Sequence, residues 1–107
     1  MTRKIQMSYH VQMERADRMV YILSNPDLCD LTPAMEFVSI RDNVRYCITV
    51  NGVLLIKAIR QERLITAYVP TFDKVYAICM NEGIQIPAGL AYRIKRNKKH
   101  NLMQDRG

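Results

Sequence analysis

The dipeptide Asn51-Gly52 stands between an apolar run ending at Val50 and another starting at Val53. Both residue types accept positive φ angles, so the pair predicts a β-hairpin closed by a two-residue type I′ turn. That turn sets Val50 opposite Val53, and with it Ile48 opposite Leu55, Cys47 opposite Ile56, Tyr46 opposite Lys57 and Arg45 opposite Ala58. Treating Asp42-Asn43 and Gln61-Glu62 as further two-residue turns completes four short antiparallel strands between Ala34 and Pro70. Val38 then faces Cys47, Ser39 faces Tyr46, and Lys57 faces Thr66.

Because side chains alternate across a sheet, these registers sort the residues into two faces. One is a core face of Val38, Ile40, Cys47, Leu54, Ile56, Ala58, Ile65, Ala67 and Val69. The other sets an apolar row, Phe37, Ile48, Leu55 and Tyr68, beside a polar row, Ser39, Tyr46, Lys57 and Thr66. A lysine within a central strand, flanked by a tyrosine and a threonine, is the feature that most invites chemistry. The plain alternative is a solvated sheet face from which Lys57 reaches water.

Helices are expected on either side of the strands. Ser8 suits an N-cap, and Tyr9, Met13, Ala16, Val20 and Leu23 recur in steps of four and three until Ser24-Asn25-Pro26-Asp27 interrupts them. Thr71 can cap a second helix through Phe72, Val75, Tyr76, Ile78, Cys79 and Met80, with Gly83 as its stop. After a loop containing Pro87, Leu90, Ala91 and Ile94 begin a third. The apolar stripe of the first helix should lie on the sheet, making an α+β fold: a four-stranded antiparallel sheet packed on an N-terminal helix, with one or two C-terminal helices.

A chain of 107 residues is expected to form a single domain, 1–107. No apolar run is long enough to span a bilayer, and Met1 to Met7 lacks a signal-peptide core, so no membrane partner and a cytoplasmic location are expected. The three cysteines are odd in number and lack a C-x-x-C pair, and there are two histidines, His10 and His100. That pattern argues against a disulfide framework and against a metal site. No cofactor is expected, because no phosphate-binding glycine loop or dinucleotide fingerprint is present. Sixteen Lys and Arg against ten Asp and Glu give a net charge of +6, which favours a polyanionic partner, nucleic acid first. The excess is concentrated at Arg93, Lys95, Arg96, Lys98 and Lys99.

His, Lys, Arg, Tyr and Thr without a metal suit cleavage of RNA by its own 2′-hydroxyl, which needs a proton acceptor, cations for the phosphate and a donor for the leaving oxygen. The order His10, a helix closed by Asn25-Pro26-Asp27, Arg45-Tyr46, a hairpin, then Leu64-Ile65-Thr66-Ala67-Tyr68 resembles the barnase, EndoU, colicin and RelE superfamily of ribonucleases. The closest likeness is to its compact phage and mobile-element branch. In that branch a histidine begins the first helix, "NPD" closes it and a strand reads like "TAY". The likeness covers a core of about residues 8–70, with 71–107 as a helical extension ending in a basic tail.

The resemblance implies a small metal-independent endoribonuclease acting on single-stranded RNA, a toxin or phage-related effector with a cognate antitoxin or immunity protein. It implies catalytic roles for His10, Thr66 and Tyr68, to which the polar row adds Lys57. Arg41, Arg45, Tyr46, Arg60, Arg63, Arg93, Lys95 and Arg96 are the candidate nucleic-acid contacts. Arg45 lands on the core face, so either it reaches around the strand end or the register is off by one. The extension could cover the polar face or add a basic wall to it. The alternatives are a non-catalytic nucleic-acid-binding module of a mobile element and a protein-interaction domain docking through the apolar row. The nuclease expectation requires His10, Lys57 and Thr66 to converge.

Overall fold

The computed structural model describes residues 17–100 of the chain. Ser8 and His10, the expected cap and catalytic histidine, lie outside the described residues. Residues 17–24 are helical and are labelled α1. Four strands follow, β1 (Pro33–Ser39), β2 (Val44–Thr49), β3 (Leu54–Lys57) and β4 (Leu64–Tyr68), then α2 (Phe72–Asn81) and α3 (Ala88–Arg96). The sheet is an antiparallel meander in the order β1-β2-β3-β4. The α+β class, the strand number and the placement of helices on both sides of the strands in sequence are as the residue pattern predicts. No helix among the described residues is long and apolar enough to cross a membrane.

The register differs from expectation, and the cause is the turn at Asn51-Gly52. Gly52 has φ 82°, whereas Asn51 is not among the residues with positive φ. The Gly52 N–H donates to the Thr49 carbonyl, and the Thr49 N–H donates to the Val53 carbonyl, each at 2.9 Å. The loop is therefore three residues, 50–52, a type I turn closed by a left-handed glycine. Cys47 faces Leu55 rather than Ile56, and Arg45 faces Lys57 rather than Ala58. A slip of one residue exchanges the faces of a strand. Leu54 and Ile56 leave the expected core face, and Leu55 and Lys57 take their place.

The other two connections also exceed two residues. Between β1 and β2 the loop is 40–43, so Ser39 faces Val44 and Val38 faces Arg45, a shift of two that preserves the faces. Asn43 takes φ 57°, a conformation asparagine tolerates better than most residues. Between β3 and β4, the Ala58 N–H donates to the Arg63 carbonyl at 3.0 Å. Ile56 pairs with Thr66 but Lys57 with Leu64, leaving Ile65 as a bulge. A second register shift, between Pro33 and Met35, leaves Ala34 unpaired in β1.

Both faces of the sheet carry a core. On one, Cys47, Val53, Leu55, Ala67 and Val69 pack with Ile22 of α1 and Leu28 beyond it. On the other, Tyr46, Ile48 and Leu54 pack with Val75 and Cys79 of α2 and Leu90 and Ile94 of α3. Each fully buried aliphatic side chain contributes about 2 kcal/mol. Val38 and Ile40, expected in the core, are exposed, Ile40 at 79%.

The C-terminal helices form for local reasons. The Thr71 hydroxyl accepts from the Lys74 N–H at 3.2 Å, and Asp73 in the first turn suits the helix dipole of α2. At its end Gly83 takes φ 68°, the Gly83 N–H donates to the Met80 carbonyl and the Ile84 N–H to the Cys79 carbonyl, a Schellman closure. Helix α3 starts after Pro87 and docks on the β2–β3 turn. The Asn97 side-chain amide donates to the Asn51 carbonyl at 2.7 Å, and Arg93 Nη2 donates to the Asn51 side-chain oxygen at 3.3 Å.

Gly52 and Gly83 separate two roles of glycine. A methyl group at Gly83 meets nothing within 4 Å, whereas at Gly52 it would lie 2.9 Å from Asn97 Nδ2 and 3.3 Å from the Ile94 Cα. Gly83→Ala should therefore cost about 1 kcal/mol, for the left-handed backbone alone. Gly52→Ala should cost about 3 kcal/mol, because overpacking against α3 is added. Urea unfolding of the two variants measures the difference. Thiol chemistry checks the two cores: Cys29 is exposed and Cys47 and Cys79 are buried, with burial pushing both of the latter thiols up. A thiol reagent at neutral pH should label Cys29 in the native protein and reach the other two only on unfolding.

Candidate nucleic-acid interface

The one-residue slip of β3 decides where Lys57 sits. It shares a face with Arg45, its direct partner across the strands. Two like charges opposite one another repel, and two carboxylates offset this. Glu36 Oε1 lies 3.5 Å from Arg45 Nη1 and 3.6 Å from Lys57 Nζ. Glu62 lies 3.1 Å from Arg45 and 3.8 Å from Lys57. The hydrogen bond from Arg45 holds the Glu62 carboxyl below its ordinary range, and the same bond raises the Arg45 guanidinium. Arg45 also donates to the Gln61 carbonyl at 3.0 Å. Both cations are thus committed to internal carboxylates.

The expected catalytic row is divided. Tyr68 lies on the opposite face from Lys57, against the core of α2 and α3, with Lys74 Nζ 5.2 Å from its ring centre. Thr66 belongs to the edge strand and accepts a hydrogen bond from Arg18 Nη1 at 3.4 Å. Tyr46 is buried and donates to Asp42 Oδ2 at 2.6 Å, so it offers no surface to a nucleic acid. Ser39, also expected in the polar row, is buried and donates to Glu82 Oε2 at 2.9 Å. On one side of the sheet Ile22 of α1 packs on Cys47, Leu55 and Ala67 beside the half-buried ion cluster of Glu36, Arg45 and Lys57, and on the other side α2 and α3 cover Tyr46, Ile48 and Leu54.

The remaining cations gather at the two ends of the meander. Arg41 is exposed in the β1–β2 loop, and at the same end Arg60 and Arg63 line an open cleft of about 480 Å3 with Ile40, Asn43, Ala58, Ile59 and Ile65. Arg93, Lys95 and Arg96 lie at the other end, on α3. There cations lie over rings. Lys95 Nζ stands 4.5 Å from the Phe72 ring centre, Phe72 lies 5.9 Å from Tyr76, and Arg96 lies 5.8 Å from the Tyr92 ring. Tyr76 is 50% and Tyr92 64% exposed. No Asp or Glu occurs between Glu82 and Asp105, so no carboxylate of this segment neutralises the strip.

Phe72 and Tyr76 were expected from the sequence only as apolar positions of a helix, and none of Phe72, Tyr76 and Tyr92 was among the candidate contacts. Their signal was present: Tyr92 and Arg96 are four apart, as are Phe72 and Tyr76, and residues so spaced meet on a helix. The contact of Lys95 with Phe72 joins two helices and has no local signature. Among the described residues no group of His, Cys, Asp and Glu is arranged to hold a metal ion. No protein-family model, curated protein or solved structure matches this chain.

The Tyr46–Asp42 bond has a pH signature. Burial, then the bond to Asp42, raises the Tyr46 hydroxyl far above its ordinary value. The unfolded chain ionises this tyrosine near about pH 10, whereas the folded chain keeps its proton. The stabilisation is therefore whole below that pH and falls as pH rises beyond it. Tyr46→Phe should lose about 1 kcal/mol at neutral pH. Its melting temperature should then fall less steeply than that of the parent on the alkaline side, as thermal melts across that range would read.

Proposed function

We propose that this chain is a single-stranded nucleic-acid-binding module whose contact surface runs along the exposed side of α2 and α3. The observation that carries the reading is the strip of rings and cations, Tyr76, Phe72, Lys95, Tyr92 and Arg96. Rings stack on unpaired bases without regard to sequence, each stack contributing about 1–3 kcal/mol, and cations beside them follow the phosphates. The net charge of +6 supports the same partner through long-range attraction. The ribonuclease expectation loses support from the division of its catalytic row, whereas binding asks nothing of that row. A reducing compartment such as the cytoplasm suits the three free cysteines.

The test is fluorescence anisotropy with labelled single-stranded RNA and DNA in EDTA, with the RNA afterwards examined on a gel. Contacts from Lys74, Lys95 and Arg96 to three phosphates predict a salt slope of about −2, so affinity falls roughly twentyfold between ~50 and ~200 mM salt. Tyr92→Ala should weaken binding about tenfold with an unchanged melting temperature, because that ring is mostly exposed. Absence of binding at low salt, or full affinity in Tyr92→Ala, overturns the proposal. Cleaved RNA in the same samples would return the ribonuclease reading to first place.

A further inference from the structure

Where α3 ends, a small cavity of about 70 Å3 opens beside the strip of rings and cations. Its walls are Asp27, Arg93, Arg96, Asn97, Lys99 and His100. Arg96 belongs to both the cavity and the strip, so the two are continuous. Three of the lining side chains are cations and one is a carboxylate, and the Asp27 main chain also takes part by accepting from Arg93 Nη2 at 3.1 Å. A polar cavity of this size with a positive balance fits a compact oxyanion rather than a base or a sugar.

Two of the lining groups have nitrogens that are buried and without a hydrogen-bond partner among the described residues, Arg93 Nε and His100 Nε2. Both side chains are fixed by their other atoms. Arg93 Nη2 is held by Asp27 and Asn51. His100 is 4% exposed, its Nδ1 lies 2.7 Å from the Tyr21 hydroxyl, and its ring meets the Tyr21 ring edge-on at 5.8 Å. With Nδ1 accepting the tyrosine proton, the ring N–H is carried by Nε2, a donor without an acceptor. Buried donors are rarely left in that condition, and two of them among the walls of one cationic cavity call for a common acceptor.

We propose that this cavity is a binding site for a single phosphoryl group, whose oxygens accept from Arg93 Nε and His100 Nε2 and are faced by Arg96 and Lys99 at the rim. Its place beside the strip makes a nucleic-acid phosphate the expected source, and that assignment rests on the reading above. Tyr21, Asp27, Arg93, Arg96 and Lys99 are the titratable and charged groups that surround His100. Burial, then Lys99, holds this histidine below its ordinary value, and Asp27 opposes them. A bound dianion adds negative charge beside the ring and raises it. By linkage, the anion binds more tightly as pH falls through the histidine range.

Imidazole NMR tests this directly, because the chain has two histidines and the His10→Gln variant leaves the signal of His100 alone. That variant is titrated with inorganic phosphate and with sulfate, whose charge does not change over the same pH range, against sodium chloride at equal ionic strength. A saturable shift with phosphate and sulfate but not chloride is expected, with sulfate binding tighter at acidic than at neutral pH. Arg93 also ties down the β2–β3 turn, so the exposed Arg96→Gln is the variant read for affinity, and it should lose about tenfold. A His100 signal that responds to none of the anions, or equally to chloride, overturns the proposal. Oligonucleotide binding that leaves the His100 signal unmoved also overturns it, while the reading of the helical strip stands. A phosphate response in a protein that binds no oligonucleotide keeps the site and removes that reading.

Discussion

The contact between α3 and the backbone of the β2–β3 turn decides how the rest of the molecule is arranged. Gly52 lies so close to Ile94 and Asn97 that no side chain fits between them. Asn97 and Arg93 then hold Asn51 by its carbonyl and its side-chain oxygen. A three-residue turn presents the backbone in this way, and the turn sets the register of β3. Register in turn determines which residues of β3 face α1 and which face α2 and α3. One helix-to-turn contact between distant parts of the chain thus assigns both cores.

Charge is partitioned by the same register. Arg45 and Lys57 fall opposite one another and are held by Glu36 and Glu62. A pair of cations on one sheet face would, alone, attract a phosphate. With two carboxylates within 4 Å it becomes a structural group that joins β1, β2, β3 and the β3–β4 loop. Lys95 and Arg96 of α3 have no such neighbours in their own segment, and each lies over an aromatic ring. The two basic groups look alike in composition and differ in what lies beside them.

Much of the architecture was legible because it is local. Period-two alternation, short connections and the Thr71 and Gly83 helix boundaries identify four strands and two C-terminal helices without reference to distant residues. The pairing was not legible. Asn-Gly serves both a two-residue turn with positive φ at both positions and a three-residue turn with positive φ at the glycine. The choice here goes with the packing of Ile94 and Asn97, about forty residues further on. The candidate site was legible only as composition. Arg93, Lys95 and Arg96 stood out as charge, whereas the rings they sit on and the pairing of His100 with Tyr21 are products of tertiary structure.

The interruptions in the outer strands bear on how the molecule meets its own copies. An open meander exposes two strand edges, each a template for a further strand and hence for aggregation. Here the β1 edge begins at a proline, which has no N–H to offer, and Ala34 breaks its spacing. The β4 edge is broken by Ile65, and next to the break Thr66 is engaged by Arg18. A strand from another molecule would find neither edge regular along its length. The bulges that complicate the register also discourage the sheet from growing.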